Sequence, residues 1–188
     1  MSSKVEFTDD GYWLTEAKMT TTKPNGDQLI VRFFQRDADC DEIGYCPETP
    51  CVSVIYRRKK EIEQPKKFLG ITLSKPKNQD TYEDNYIAGG TLLKDKYDNV
   101  CKGQLDDFLC FYTRKHNANK VLQHVEPEYM HLYTQALEAM MVAGLENKLN
   151  ETAQKREAHT KAWNAKQPNS PENIANNLTI INSFRAYR

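Results

Sequence analysis

No stretch of this 188-residue chain approaches the roughly 20 consecutive apolar residues that a membrane helix needs. The opening residues, Met-Ser-Ser-Lys-Val-Glu-Phe, lack the apolar core of a secretory signal and are too acidic for a transit peptide. The expectation is a cytoplasmic protein with no membrane partner. Excess charge of either sign is missing too. Lys+Arg and Asp+Glu number 26 each, which argues against a chain built wholly to coat nucleic acid. There is no internal repeat and no low-complexity tract, and 39% apolar with 28% charged residues describes a polar but folded protein. Cysteine is sparse and odd in number. Cys40, Cys46, Cys51, Cys101 and Cys110 do not form the dense, even-numbered set of a secreted disulfide scaffold, and they read as reduced thiols.

Catalytic signatures are absent as well. There is no His-Glu-x-x-His, no Gly-x-Ser-x-Gly, no phosphate loop and no dinucleotide glycine pattern. The histidines (His116, His124, His131, His159) lie in or near the C-terminal half, and Pro127 separates the middle two. Asp106-Asp107 and Glu126/Glu128 read as helix-start acids, favoured there by the helix dipole. Neither enzymatic activity nor a cofactor is expected. An enzyme would have to assemble its site from scattered residues.

What is present begins with strand patterns. Residues 12–22 and 28–36 alternate and flank Lys23-Pro24-Asn25-Gly26-Asp27, a strong hairpin signal because Asn and Gly tolerate positive φ. Residues 51–60 predict a strand, with 67–74 as its expected hairpin partner, and residues 86–94 a weaker strand broken by Gly89-Gly90. The period then changes. Leu105, Phe108, Leu109 and Tyr112 share one helical face over residues 104–115. A long helix is predicted from Pro127, its apolar stripe running from Leu132 through Met140, Gly144 and Leu145 to Leu149. Beyond Leu149 the helical composition persists but the stripe gives out. Ser170-Pro171-Glu172 predicts a further helix start, with Ile174, Leu178 and Ile181 as its apolar face. The fold class expected is α+β: an antiparallel β-rich body over residues 1–100, and a helical region over 101–188 that packs on it and extends as an arm.

Three patterns suggest sites. Asp37, Asp39, Asp41 and Glu48 stand at the first, third, fifth and twelfth positions of an EF-hand-like calcium loop, where a hard cation needs several carboxylates on one tight turn. Glu42 occupies the position that needs Gly, and the flanks read as strands, so an acidic connection is the simpler reading. Cys40, Cys46 and Cys51 in the same stretch lack the paired C-x-x-C spacing of zinc sites. The second pattern is basic: Arg57, Arg58, Lys59, Lys60, Lys66 and Lys67, continued by Lys75 and Lys77, give eight bases against two acids over residues 57–77. Beside Tyr56 and Phe68, such a cluster suits single-stranded nucleic acid, although a charge run more often solubilises a strand edge. The third pattern is aromatic. Trp163, Phe184 and Tyr187, with Arg185 and Arg188, follow stretches with too few apolar neighbours to enclose them, and aromatics with Arg are the residue types that anchor interfaces.

The leading expectation is a non-catalytic interaction or assembly protein, of viral or accessory type, docking through Trp163, Phe184, Arg185 and Tyr187 onto another protein or a second copy of itself. A nucleic-acid-binding module and an enzyme with an unmarked site are the alternatives.

Overall fold

The computed structural model describes residues 2–36, 49–60, 82–92, 103–115 and 125–167, together with residues 39–41, 44–46, 67–68, 71–72, Tyr97 and Leu122. The architecture is α+β: an antiparallel sheet at the N-terminal end, followed by helices.

The Asn25-Gly26 hairpin forms as its residues dictate. Strands β2 (Leu14–Thr22) and β3 (Gln28–Arg36) pair antiparallel, and Gly26 takes a positive φ of 86° in the turn. The Gly26 amide donates to the Lys23 carbonyl at 2.9 Å. On the other side of β2 lies β1 (Ser2–Asp9), a strand the sequence pattern left unread. Two short ladders, β4 (Asp39–Asp41) with β5 (Gly44–Cys46) and β7 (Lys67–Phe68) with β8 (Ile71–Thr72), stand apart from the main sheet. Strand β6 (Thr49–Lys59) is flanked by β3 and by β9 (Tyr82–Thr91), which completes the order β1-β2-β3-β6-β9. The expected pairing of 51–60 with 67–74 is therefore corrected. Val52 and Val54 lie in the apolar middle of the sheet, and β6 is covered on both sides by longer strands than residues 67–74 supply.

Pleating sends alternate residues to opposite faces. On one face, Ala17 and Met19 of β2, Val31 and Phe33 of β3, Val52 and Val54 of β6 and Ala88 of β9 are buried beneath the helices. Helix α1 (Leu105–Lys115) places Leu105, Phe108, Leu109 and Tyr112 on that core, as its spacing predicts. Phe33 is the hub: its ring lies 6.3 Å from Phe108, stacked, and 6.4 Å from Tyr133, edge-on. Gln35, on the same face of β3, fixes the start of α1. Its side chain accepts the Leu105 amide at 2.7 Å and donates to the Gly103 carbonyl at 3.1 Å.

Pro127 opens a 3-10 turn (Pro127–Tyr129) that leads into α2 (Met130–Val142). The expected continuous helix ends there. Gly144 adopts φ 95°, a left-handed conformation that glycine enters without the Cβ clash other residues meet, and the chain restarts as α3 (Leu145–Lys166). Apolar spacing continues across residue 144, so the break has no signature in periodicity. Leu145 and Leu149 still reach the core, and roughly 2 kcal/mol from each buried leucine holds the first turns of α3 down.

No helix among the described residues is long and apolar enough to cross a membrane.

Candidate interaction surface

Helix α3 leaves the body along a single line of side chains. Leu145, Leu149, Thr152, Arg156, His159 and Trp163 follow one another at alternating spacings of four and three, which keeps them on one face. Leu145, Leu149 and Thr152 are buried, Arg156 is half-buried, and His159 is exposed. Trp163, about five turns after Leu145 and on the same side, is 60% exposed. The face that packs on the body thus runs past its edge and ends in an uncovered indole.

The last buried point of attachment is Asp106, in the first turn of α1. Its side chain is 1% exposed and ionic, a costly arrangement unless the charge is paired and hydrogen-bonded. It accepts the Leu14 amide at 2.7 Å, the Thr152 hydroxyl at 3.0 Å and Arg156 Nη1 at 2.6 Å. One carboxylate therefore joins β2, α1 and α3. Asp106 does stand in the first turn of α1, as the sequence predicts, and its burial adds a role that the sequence does not show. The groups that enclose it come from positions far away in the chain, and no local pattern announces them.

Arg156 does more than neutralise Asp106. It donates to the Tyr12 carbonyl at 2.6 Å, and its guanidinium lies 3.8 Å from the centre of the Trp13 ring. The turn that presents these groups is shaped by two aspartates. Asp9 Oδ1 accepts the Gly11 amide, and Asp10 Oδ1 accepts the amides of Tyr12 and Trp13 at 2.8 and 2.7 Å. Asp9 also pairs with Lys148 of α3, whose ammonium, with the Gly11 amide, holds the Asp9 carboxyl below the usual carboxylate range. One turn beyond Arg156, the His159 ring meets Tyr12 at 4.9 Å. Past that contact no part of the body among the described residues covers Trp163.

Of the expected docking residues, Trp163 is thus exposed on the arm, while Phe184, Arg185 and Tyr187 lie outside the described residues, as do Arg188 and the predicted helix from Ser170. Asp37 and Glu48 also lie outside them. For Asp39, Asp41, Cys40 and Cys46 the structure describes the backbone ladder of β4 and β5. Strands β3 and β6, not helices, flank this stretch.

The basic run begins within β6, and two of its bases, Arg57 and Lys60, meet acids of β9. Arg57 donates to both oxygens of Asp84, at 2.6 and 2.8 Å, and holds that carboxyl below its ordinary range. Lys60 lies 3.8 Å from Glu83. The Lys59 amide donates to Asp27 Oδ1 at 2.9 Å, while Asp27 Oδ2 accepts the Tyr56 hydroxyl at 2.5 Å. Arg58 is exposed. Lys66 lies outside the described residues, and Lys67 is described by its backbone in β7. The face of the sheet turned away from the described helices carries a hollow of about 420 Å³ whose charges are also mutually engaged, Glu6 with Lys4 and Lys18, and Arg32 with Glu16.

Comparison with family models, with curated proteins and with solved structures finds no match for this chain.

Proposed function

We propose that this protein is a non-catalytic interaction or assembly protein that docks through its helical C-terminal region, with Trp163 as an anchor. The observation that supports this reading most is the continuation of the body-facing stripe of α3 to an indole that is 60% exposed. The part of α3 beyond Arg156, residues 157–166, is shorter than the roughly 12–15 residues a solitary helix needs in water. An uncovered tryptophan on a helix held in fixed phase by Asp106 and Arg156 has the attributes of an interface anchor: large apolar area and little ordering entropy left to lose on binding.

The nucleic-acid alternative draws less support. Arg57 and Lys60 are paired with Asp84 and Glu83, so the patch presents less net positive charge than the linear sequence suggests.

A photo-crosslinking residue in place of Trp163, introduced in the native source, tests the proposal. An adduct is expected at position 163 and not with the same group in place of Thr20 on the open sheet face. No adduct at 163 would remove the reading. Truncation at residue 150 is a poorer test, because it takes Arg156 away from buried Asp106 and so disturbs the body as well.

A further inference from the structure

Charge is divided unevenly along the two consecutive helices. From Val125 to Asn147 there are four acids, Glu126, Glu128, Glu138 and Glu146, all exposed, and no Lys or Arg. From Ala153 to Gln167 there are four bases, Lys155, Arg156, Lys161 and Lys166, against the single acid Glu157. Two of these bases are engaged within the molecule, Arg156 on Asp106 and Lys161 on Glu157. Lys155 and Lys166 have no ion pair among the described residues. They bracket His159 and Trp163 at spacings of four, four and three, which sets all four on one strip of the arm. The strip reads base, imidazole, indole, base.

Its complement is displayed by the same chain. Val142, the last residue of α2, is 91% exposed, an extreme value for an aliphatic side chain at the edge of a packed helix. Glu138 precedes it by one turn, and Glu146 follows in the first turn of α3; neither has an ion pair among the described residues. In chain order these exposed residues read acid, aliphatic, acid, with the Gly144 break between the second and the third.

We propose that the arm docks on a second copy of this chain, the strip Lys155–His159–Trp163–Lys166 of one protomer lying on the patch Glu138–Val142–Glu146 of its partner. The inference rests on the interaction reading above and names the partner. Complementary signs select this pairing, since arm on arm or patch on patch would set like charges together. Each copy offers both surfaces; in the proposed arrangement a two-fold axis makes both contacts at once and closes the assembly as a dimer, whereas one contact at a time would extend it as an open chain of copies. With Lys+Arg and Asp+Glu equal over the whole chain, net charge does not reveal the division of charge between the two helices.

Sedimentation of the full-length chain over a concentration series, at low salt and at roughly 0.5 M salt, where exposed ion pairs are screened, tests this. The expected result is a monomer–dimer equilibrium that weakens with salt. Trp163→Ala should raise the dissociation constant about tenfold or more. The double variants Lys155→Glu/Lys166→Glu and Glu138→Lys/Glu146→Lys should each be monomeric alone, with thermal melting lowered by no more than a few degrees because Lys166 and Glu146 also complement the α3 dipole, and a 1:1 mixture of the two should dimerise again. A wild-type chain that stays monomeric throughout overturns the inference, as does a dimer that neither double variant weakens or a mixture that stays apart. A mass shift that requires an added single-stranded oligonucleotide assigns the strip to nucleic acid and also overturns it. If the chain is monomeric while the group at position 163 still captures a different protein, self-docking fails and the interaction reading stands. If position 163 captures nothing as well, both fail.

Discussion

Arg156 Nη1 lies 2.6 Å from Asp106 Oδ2, and the Asp106 side chain is 1% exposed while that of Arg156 is 23% exposed. A pair so placed matters most when it is broken from one side, because the remaining buried charge keeps its desolvation cost. Arg156→Ala is therefore expected to lower unfolding stability by about 2–4 kcal/mol, measured as a shift of the denaturant midpoint. Arg156→Lys should recover part of the loss, since it restores charge but not the stacking on Trp13 or the planar reach to Tyr12. Equal midpoints for wild type and Arg156→Ala would show that the carboxylate does not depend on this cation.

Trp163→Ala should behave in the opposite way. An exposed side chain with no core beneath it changes stability by less than about 0.5 kcal/mol when truncated. Unchanged melting together with altered association separates a docking residue from a structural one. A drop in melting temperature of several degrees would place the indole in the fold.

Gly89 and Gly90 provide a matched pair. A Cβ on Gly89 would stand 1.8 Å from the Tyr86 hydroxyl and 2.6 Å from the Val52 carbonyl oxygen, whereas one on Gly90 meets nothing within 4 Å. The tyrosine can swing away, but the β6 backbone cannot without disturbing its ladder. Gly89→Ala should cost about 2–3 kcal/mol, and Gly90→Ala should be near neutral or slightly stabilising through the unfolded chain. Thermal melts of the two variants side by side decide the matter; similar curves would mean that Gly89 is not constrained by this approach.

Acid should loosen the end of the first hairpin. The hydrogen bond from Tyr56, with those from the Lys59 amide and Asn25, holds the Asp27 carboxyl below its ordinary value. A depressed folded pKa gives stability that is present above the unfolded carboxylate pKa of about 3.9 and is lost as pH falls through the folded value. The stability gap between wild type and Asp27→Asn should then be constant above about pH 5 and close progressively in more acid solution. A gap that does not change with pH would show that the charge of Asp27 is not what the turn uses.

Local elements were legible where the pattern is local. The β2–β3 hairpin follows from alternation around Asn25-Gly26, and α1 from four apolar residues on one face. β1 escaped notice because an edge strand pairs on one side and needs few apolar residues; Val5 and Phe7 alone face the core there. The partner of β6 was misread because adjacency in sequence favours the nearest β-like segment, while the sheet uses Val52 and Val54 to fill its centre. The break at Gly144 is a matter of φ, which an unbroken apolar stripe does not report. At the candidate site, exposure of Trp163 was foreseeable from its polar neighbours. Asp106 was not, because a helix-start acid and a buried anchor are the same letter until Leu14 and Arg156 arrive from 92 and 50 residues away.

The three-way junction at Asp106 also ties the display of Trp163 to the completion of folding. The carboxylate that receives the Arg156 guanidinium, two turns before Trp163, is enclosed by β2 and α1 together, so the docked position of α3 depends on that pair being assembled. Under the proposed reading, a partner that recognised the indole in that orientation would discriminate between finished and unfinished copies of the molecule.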